Sequence, residues 1–463
     1  MSTLIPPNGA RFTSAEIAAI LGVDALGPEV QIEGIRTDSR TIAGGDCFLA
    51  LKGERFDGHD YLDEAVKKGA RALIIGAQFD GALPQGVAIF RVPDPLYALG
   101  ELARAHRARS KNLRVIGITG SAGKTGTKEL LGALIREAAW PALITQGNLN
   151  NRIGLPMMLL TLEDEQLAIL EMGTSEPGEI ARLAEIARPD IGIITLIDAS
   201  HTEGLGGVEG VVNEKDALFR ALGEEGWAIG CADEAHLARL LDETPAHVLR
   251  YGKGANVDLR ILEHRFSSSG TSVLFERKGE RFRLETPLLG EPAVHQLAIA
   301  ALVAELLGMD EDCLARAAAT ARPRPGRLSL LQKDELLLID DTYNANPRSM
   351  RAALELAVAL SHERGGRAFA LLGDMRELGS LEKSAHREVL STQGIDLFLV
   401  GSAFKEARSG NDFPAYDSPM EAAEALKKRL KPRDLVLLKG SRSMGMERAI
   451  PILLGGEKER VGR

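Results

Sequence analysis

Residues 114–131 read RVIGITGSAGKTGTKELL and decide how the middle of the chain folds. The apolar residues at the start predict a buried strand, a glycine-rich turn follows, and a helical pattern begins near Lys124. Gly120 and Gly123 allow backbone N–H groups to converge on an anion, and the N-terminus of the helix adds positive field at the same place. In such a loop the lysine reaches the outer phosphates of a nucleotide, and the hydroxyl of Thr125 can hold Mg²⁺. The stretch therefore predicts a phosphate-binding loop.

This loop has the short form Gly-x-x-Gly-Lys-Thr. Ile118 stands where the longer form of the motif has its first glycine. An ordinary strand, turn and helix with a surface lysine is the simpler alternative. The strand before the loop and the helix after it favour phosphate binding.

The composition is that of a soluble protein of two to four domains. The 463 residues are 44% hydrophobic and 26% charged, with a net charge of −9, which argues against non-specific nucleic-acid binding. Three separated cysteines suit neither a disulfide framework nor a zinc site, so we expect a reducing, cytoplasmic location. The N-terminus lacks a signal pattern, and no apolar stretch is long enough to span a bilayer, so we expect no membrane insertion.

Polar side chains follow the predicted strands of the middle region. One apolar run ends in Glu171, where an acid beside a phosphate loop is a natural partner for the Mg²⁺ of a nucleotide. The next run leads to His201, and the helix after it carries Lys215. The loop at residues 145–156 holds three asparagines and two glycines, which favour either a polar binding loop or a turn-rich connector. A solvent-facing acid, a structural histidine and a surface or phosphate-contacting lysine are the simpler alternatives.

The chain divides into three predicted α/β units, residues 1–111, 112–322 and 323–463. The polar residues 106–112 form the first candidate linker, and the two prolines within residues 321–327 mark the second boundary. Alternating short strands in residues 233–283 predict an antiparallel appendage without evident chemistry.

The last unit alternates strands and helices, which predicts a parallel sheet with crossover helices. Polar clusters at residues 340–347, 373–379 and 439–443 each follow a strand. The carboxyl ends of parallel strands lie at one edge of a sheet, so these clusters predict a binding face.

Several of these motifs together resemble the Mur ligase family. In the middle unit they are the loop at residues 120–125, the run Glu171-Met172-Gly173, His201, and Lys215 followed by Leu218-Phe219. The outer units add TDSR at 37–40, FDGHDY at 56–61, DDTYNANPRSM at 340–350, GDMRELG at 373–379 and KGSRSM at 439–444. The resemblance implies a small N-terminal α/β domain, a central P-loop-type mononucleotide-binding domain and a C-terminal Rossmann-like domain.

The resemblance also implies an activity. The outer motifs narrow it to an ATP-dependent amide ligase that joins D-alanyl-D-alanine to UDP-N-acetylmuramoyl-tripeptide, giving the pentapeptide precursor of peptidoglycan. In this family the tripeptide carboxylate attacks the γ-phosphate of ATP, and the amine of the dipeptide then displaces phosphate from the acyl phosphate. We expect a cytoplasmic monomer that acts on small molecules and binds no nucleic acid.

The resemblance assigns roles residue by residue. The catalytic residues are Lys124, His201, Lys215 and Arg327. The ATP-binding residues are Gly120, Ser121, Ala122, Gly123, Lys124, Thr125, Gly126, Arg327 and Asp341. The ligands of two expected Mg²⁺ ions are Thr125, Glu171, His201 and Lys215. The residues for the UDP-linked substrate are Ser39, Arg40, Asp57, Gly58, His59, Asn148 and Asn151. The residues on the D-alanyl-D-alanine side are Tyr343, Asn344 and Asn346. The family also carries a carbamate on the lysine that matches Lys215, which converts a cation into an anionic oxygen ligand.

Three positions depart from the family pattern. Asp198 stands where an asparagine is usual, and Gly126 stands where a hydroxyl residue is common. Residues 290–301 have Pro292-Ala293 and Gln296 in place of the usual His-Asn and later Asn. The last departure implies either a shifted adenine pocket or weaker ATP binding.

Three alternative functions differ from this assignment. A sister ligase that adds the third residue and a folylpolyglutamate-type synthetase share the mechanism, but the cluster at residues 343–347 argues against both. A nucleotide-dependent switch usually carries an Asn-Lys-x-Asp motif, and the sequence has none.

Overall fold

The protein is described from a computed structural model, which describes residues 4–53, 56–198, 202–408 and 413–456. The N-terminal elements are β1 (Phe12–Thr13), α1 (Ser14–Leu21), β2 (Ala25–Leu26), β3 (Gln31–Ile32), β4 (Ile35–Arg36), β5 (Cys47–Leu49), α2 (Leu62–Lys67), β6 (Ala72–Gly76), β7 (Ala88–Val92) and α3 (Pro95–Arg109).

These elements build a five-stranded sheet in the order β2-β7-β6-β5-β4, in which only β2 is antiparallel. Helix α1 begins at a reciprocal capping box between Thr13 and Glu16, and Gly22 ends it at φ 65°. Helix α3 extends to Arg109, so the predicted linker begins later than the sequence suggested.

The middle elements surround the phosphate loop. They are β8 (Arg114–Thr119), α4 (Lys124–Glu137), β9 (Ala142–Ile144), α5 (Gly154–Leu159), β10 (Leu167–Glu171), α6 (Glu179–Ala187), β11 (Ile191–Ile194), α7 (Thr202–Leu205), α8 (Val208–Arg220), β12 (Trp227–Cys231), α9 (Ala235–Glu243), β13 (His247–Gly252), β14 (Leu259–Ser267), β15 (Gly270–Arg277), β16 (Glu280–Thr286), α10 (Gly290–Leu306) and α11 (Glu311–Thr320).

The central sheet has nine strands in the order β16-β15-β14-β13-β12-β11-β8-β10-β9. From β14 to β9 in this spatial order, all neighbouring strands are parallel. The carboxyl ends of β8, β10 and β11 therefore lie at the same edge of the sheet. Every residue of β10 and β11 is buried, as expected for a parallel sheet covered on both faces. One face packs on α4 and α10, and the other shares a continuous apolar core with the N-terminal sheet.

The prediction for residues 233–283 was partly wrong. Residues 235–243 form α9, an amphipathic helix with Leu237, Leu240 and Leu241 buried. The antiparallel strands begin only at β14, and β14 pairs in parallel with β13. The expected appendage is therefore an extension of the central sheet.

The C-terminal elements are β17 (Ser329–Lys333), β18 (Leu336–Asp341), α12 (Pro347–Arg364), β19 (Ala368–Gly373), α13 (Glu382–Val389), β20 (Asp396–Val400), α14 (Ser402–Ala407), β21 (Ala415–Tyr416), α15 (Pro419–Lys427), β22 (Leu435–Lys439) and α16 (Ile450–Leu453). The sheet order is β17-β18-β22-β19-β20-β21, and only β17 is antiparallel. The predicted parallel sheet is confirmed, and the three polar clusters follow β18, β19 and β22, which are neighbours.

Candidate active site

The loop between β8 and α4 has the strand, glycine turn and helix that the sequence predicts for a phosphate-binding loop. Gly120 has φ 144° and Gly123 has φ 89°, conformations that favour glycine. A Cβ on Gly120 would lie 2.1 Å from Oγ1 of Thr195, so the loop also needs glycine for space. Thr195 in turn donates a hydrogen bond from Oγ1 to the carbonyl of Ala122 at 2.5 Å, which fixes the loop against the end of β11.

Thr125 and Glu171 meet at the carboxyl ends of β8 and β10. Oγ1 of Thr125 donates to Oε1 of Glu171 at 3.2 Å, and Nδ2 of Asn150 donates to the same oxygen at 2.8 Å. The other oxygen, Oε2, is buried and has no hydrogen-bond partner. Buried carboxylate oxygens are rarely left unpaired, because desolvation without a partner is costly.

This pair fits a magnesium ion. Hydroxyl and carboxylate oxygens are ligands that Mg²⁺ prefers, and the unpaired Oε2 of Glu171 is free to coordinate. Among the described residues no group of three or more His, Cys, Asp and Glu side chains could hold a metal by itself. That suits a nucleotide site, in which Mg²⁺ takes one or two protein ligands and completes its shell with phosphates and water.

Two lysines with lowered pKa values belong to this domain. Burial lowers the pKa of Lys124, with Arg327 acting in the same direction and Glu171 opposing, and its Nζ donates to the carbonyl of Gly120 at 2.5 Å. Burial lowers the pKa of Lys215 on α8 to about 7, the charge of Lys124 adds to this, and Glu214 opposes it. Lys215 is 2% exposed, so a large fraction of its amine is neutral near pH 7.

A cleft of about 900 Å³ separates the middle domain from the C-terminal domain. Its lining includes residues from both walls that the sequence assigned to ligands. These are Ser121, Ala122, Gly123, Lys124, Thr125, Gly126, Asn151, Glu171, Arg327, Asp341, Tyr343, Asn344 and Asn346. Gly120, Asn148 and Lys215 do not line this cleft.

The C-terminal wall is held together by its own polar contacts. The guanidinium of Arg327 stacks 3.9 Å from the ring centroid of Tyr343. The buried Lys439 donates from Nζ to Oδ2 of Asp341 at 2.5 Å and to the carbonyl of Asn344 at 2.9 Å. Asn346 caps α12 by accepting from the Ser349 N–H at 2.8 Å, so its side chain also positions the helix.

Five of the residues predicted for the UDP-linked substrate lie outside the cleft, after the adjacent parallel strands β4 and β5: Ser39, Arg40, Asp57, Gly58 and His59. His59 bridges Oδ1 of Asp57 at 2.5 Å and the N–H of Gly76 at 3.0 Å, which makes Nδ1 the donor to Asp57. Hydrogen bonds from His59 lower the pKa of Asp57. Arg40 is exposed and pairs with Asp38, whereas Ser39 is buried.

His201, the predicted catalytic and metal-binding histidine, lies outside the described residues. Other residues of the site were not assigned from the sequence: Asn150, which holds Glu171, Thr195, which holds the loop, and Lys439, which holds Asp341. Asn150 and Lys439 stand inside polar clusters that the sequence did single out. Within the described ranges no helix has both the length and the apolarity needed to cross a membrane.

Comparison with known proteins places this architecture in one family. Three family models match in order: Mur ligase family, catalytic domain, at residues 31–107; Mur ligase middle domain at 118–304; and Mur ligase, glutamate ligase domain, at 326–442. The chain belongs to the Mur ligase family.

Individual members of this family resemble the chain over nearly its whole length. The UDP-N-acetylmuramoyl-tripeptide--D-alanyl-D-alanine ligase of Bacillus subtilis is 34% identical over 437 residues, which cover 91% of this chain and 93% of the relative. A crystal structure of MurF from Acinetobacter baumannii has a TM-score of 0.88 at 30% identity, covering 98% of this chain and 100% of the other. The MurF ligase of Thermotoga maritima, solved in complex with ADP, has a TM-score of 0.84 at 29% identity and covers 91% of this chain and 97% of its own.

Proposed function

We propose that this protein is the ATP-dependent ligase that joins D-alanyl-D-alanine to UDP-N-acetylmuramoyl-tripeptide, a step in peptidoglycan synthesis. One observation carries the proposal. The Thr125–Glu171 pair beside the phosphate loop faces, across a single cleft, the Arg327, Asp341 and Tyr343 wall of the C-terminal domain. Relatives that span nearly the whole chain bear the name of this ligase.

Thr125 and Glu171 would hold the Mg²⁺ that accompanies ATP. The unpaired oxygen of Glu171 supports this role. When bound there, the ion offsets the charge of the phosphates.

Cationic residues of the cleft would reduce the repulsion between the two anionic groups that react. The tripeptide carboxylate must approach the γ-phosphate, so two anions meet. Lys124 on one wall and Arg327 on the other place cations at the cleft, and their fixed charges stabilise the negative charge that develops during transfer. The carboxylate oxygen bonds to the γ-phosphorus as ADP leaves, and the dipeptide amine then bonds to the acyl carbon as phosphate leaves.

Residues of the C-terminal domain that line the cleft would position ATP and D-alanyl-D-alanine. Asp341, held by Lys439, would accept hydrogen bonds from the ribose hydroxyls of ATP. Tyr343, Asn344 and Asn346 would border the D-alanyl-D-alanine side.

Lys215 would carry a carbamate and, with His201, serve a second Mg²⁺. A neutral amine is required to add CO₂, and the lowered pKa of Lys215 supplies it near pH 7. The addition releases one proton and leaves an anionic oxygen ligand.

The N-terminal domain would hold the uridine end of the substrate. The residues proposed for this are Ser39, Arg40, Asp57, Gly58 and His59, with Asn148 and Asn151 nearer the peptide. We also propose that the protein acts as a monomer in the cytoplasm.

Replacing Lys124 tests the phosphate-loop assignment. We expect Lys124→Ala to abolish turnover, because the cation that faces the phosphates is lost, while UDP-tripeptide binding measured by calorimetry survives. Near-normal turnover in the variant would overturn the assignment.

A further inference from the structure

Gly126 and Gln296 share one space at the edge of the phosphate loop. A Cβ built on Gly126 would lie 2.2 Å from Nε2 of Gln296 and 2.9 Å from its Cδ, both too close for any real Cβ. Gln296 belongs to α10, is 8% exposed, and lines the cleft together with Gly126. The carboxamide of Gln296 therefore occupies the position that a side chain at residue 126 would take.

That position lies in the first turn of the helix that follows the proposed phosphate-binding loop. Gly126 is the third residue of α4, directly after Thr125, and it lines the cleft together with Gly123, which precedes the helix. The first turn of a helix presents unpaired N–H groups and positive field, so a hydrogen-bond donor beside it would face the phosphates of a nucleotide held by the loop. Glycine contributes no side-chain donor at this point.

The two residues are also two of the departures noted in the sequence. Position 126 lacks the hydroxyl that the resemblance implies, and position 296 carries a longer amide than the expected asparagine. The two departures are adjacent in the structure, because the longer side chain of Gln296 occupies the space that a side chain at residue 126 would need.

We propose that Gln296 binds the phosphate chain of ATP by donating a hydrogen bond from its carboxamide, in place of a hydroxyl at residue 126. The proposal rests on the proposed function, since it deepens the nucleotide site. It makes Gln296 a substrate-binding residue that acts on the phosphates and not on the adenine base.

The first test removes the donor and keeps the volume. We expect Gln296→Met to raise the KM for ATP about ten- to hundredfold, the usual effect of losing a hydrogen bond to a charged group, with an unchanged KM for UDP-tripeptide. Gln332→Met is the control, because Gln332 lies on β17 and donates to the carbonyl of Asp334, away from the cleft. A KM for ATP within twofold of the wild type would mean that Gln296 only fills space, and would overturn the proposal.

The second test exchanges the two side chains. We expect Gln296→Ala to weaken ATP binding, and Gly126→Ser added to it to restore the KM for ATP to within about threefold of the wild type, because the shorter residue 296 makes room for a hydroxyl donor. Failure of Gly126→Ser to rescue would indicate a contact with the base, and would overturn the proposal. Wild-type protein without substrate-stimulated phosphate release would instead contradict the proposed function itself.

Discussion

At the scale of single residues, the ionisation of Lys215 gives a measurable signature. Its pKa falls from 10.5 to about 7 in the folded protein, so between these values the unfolded chain binds more protons. Because of this amine, the free energy of unfolding rises with pH across that window. Below pH 7 the amine is charged in both states, so the full cost of burying the charge applies there. We expect Lys215→Met to be more stable than the wild type at pH 6.5 in CO₂-free buffer, with an advantage that shrinks toward pH 10.

Thermal unfolding across that pH range checks this expectation. Lys67→Met is the control, because Lys67 is exposed and its replacement should leave a difference that does not vary with pH. A stability gap for Lys215→Met that is equally independent of pH would show that the amine is not desolvated as described.

At the scale of elements, the phosphate loop depends on the backbone of Gly120. Alanine there meets both a φ of 144° and the hydroxyl of Thr195, so the loop must move or strain. We expect Gly120→Ala to lose about 2 kcal/mol of stability and to weaken ATP binding at least tenfold. Gly254→Ala is the control, since a Cβ on Gly254 meets nothing within 4 Å. Equal melting temperatures for the two variants would contradict the account of the loop.

Elements with strong local signals could be predicted from the sequence. The apolar runs of β8 and β10 and the glycine turn before α4 specify their structure within a few residues, and α1 is delimited by its capping box. Helix α9 was not predicted because it is short and its apolar residues lie directly before a series of short strands. The parallel pairing of β13 with β14 was also not predicted, because consecutive strands with a short connection usually pair antiparallel.

Some residues of the site could be predicted from the sequence, and others could be identified only from the structure. Thr125 follows from the Gly-Lys-Thr end of the loop motif, and Glu171 follows from its position at the end of a buried strand. Which of three neighbouring asparagines holds Glu171 depends on the exact turn of the loop, and only the structure selects Asn150. Asn346 was expected near a ligand, and the structure shows that its side chain also caps α12.

At the scale of the whole molecule, an ion pair between Arg348 on α12 and Glu234 beside α9 links the C-terminal domain to the middle domain. We expect Arg348→Glu to open the cleft by placing two carboxylates together, which would increase the radius of gyration in X-ray scattering and raise the KM for D-alanyl-D-alanine. Arg351→Glu is the control, because Arg351 pairs with Glu388 inside the C-terminal domain.

The reciprocal exchange isolates this contact. Adding Glu234→Arg to Arg348→Glu restores opposite charges and should return the radius of gyration to the wild-type value. A radius that is unchanged in Arg348→Glu would show that other contacts hold the two domains in place.

The proposed function requires one cleft to hold the nucleotide and the reacting ends of both substrates. Phosphate release by the wild-type protein should be measured with ATP and Mg²⁺ alone, with each substrate singly, and with UDP-tripeptide and D-alanyl-D-alanine together. We expect little release until both substrates are present, and then one phosphate for each pentapeptide formed. Rapid ATP hydrolysis that neither substrate changes, with no pentapeptide formed, would contradict it.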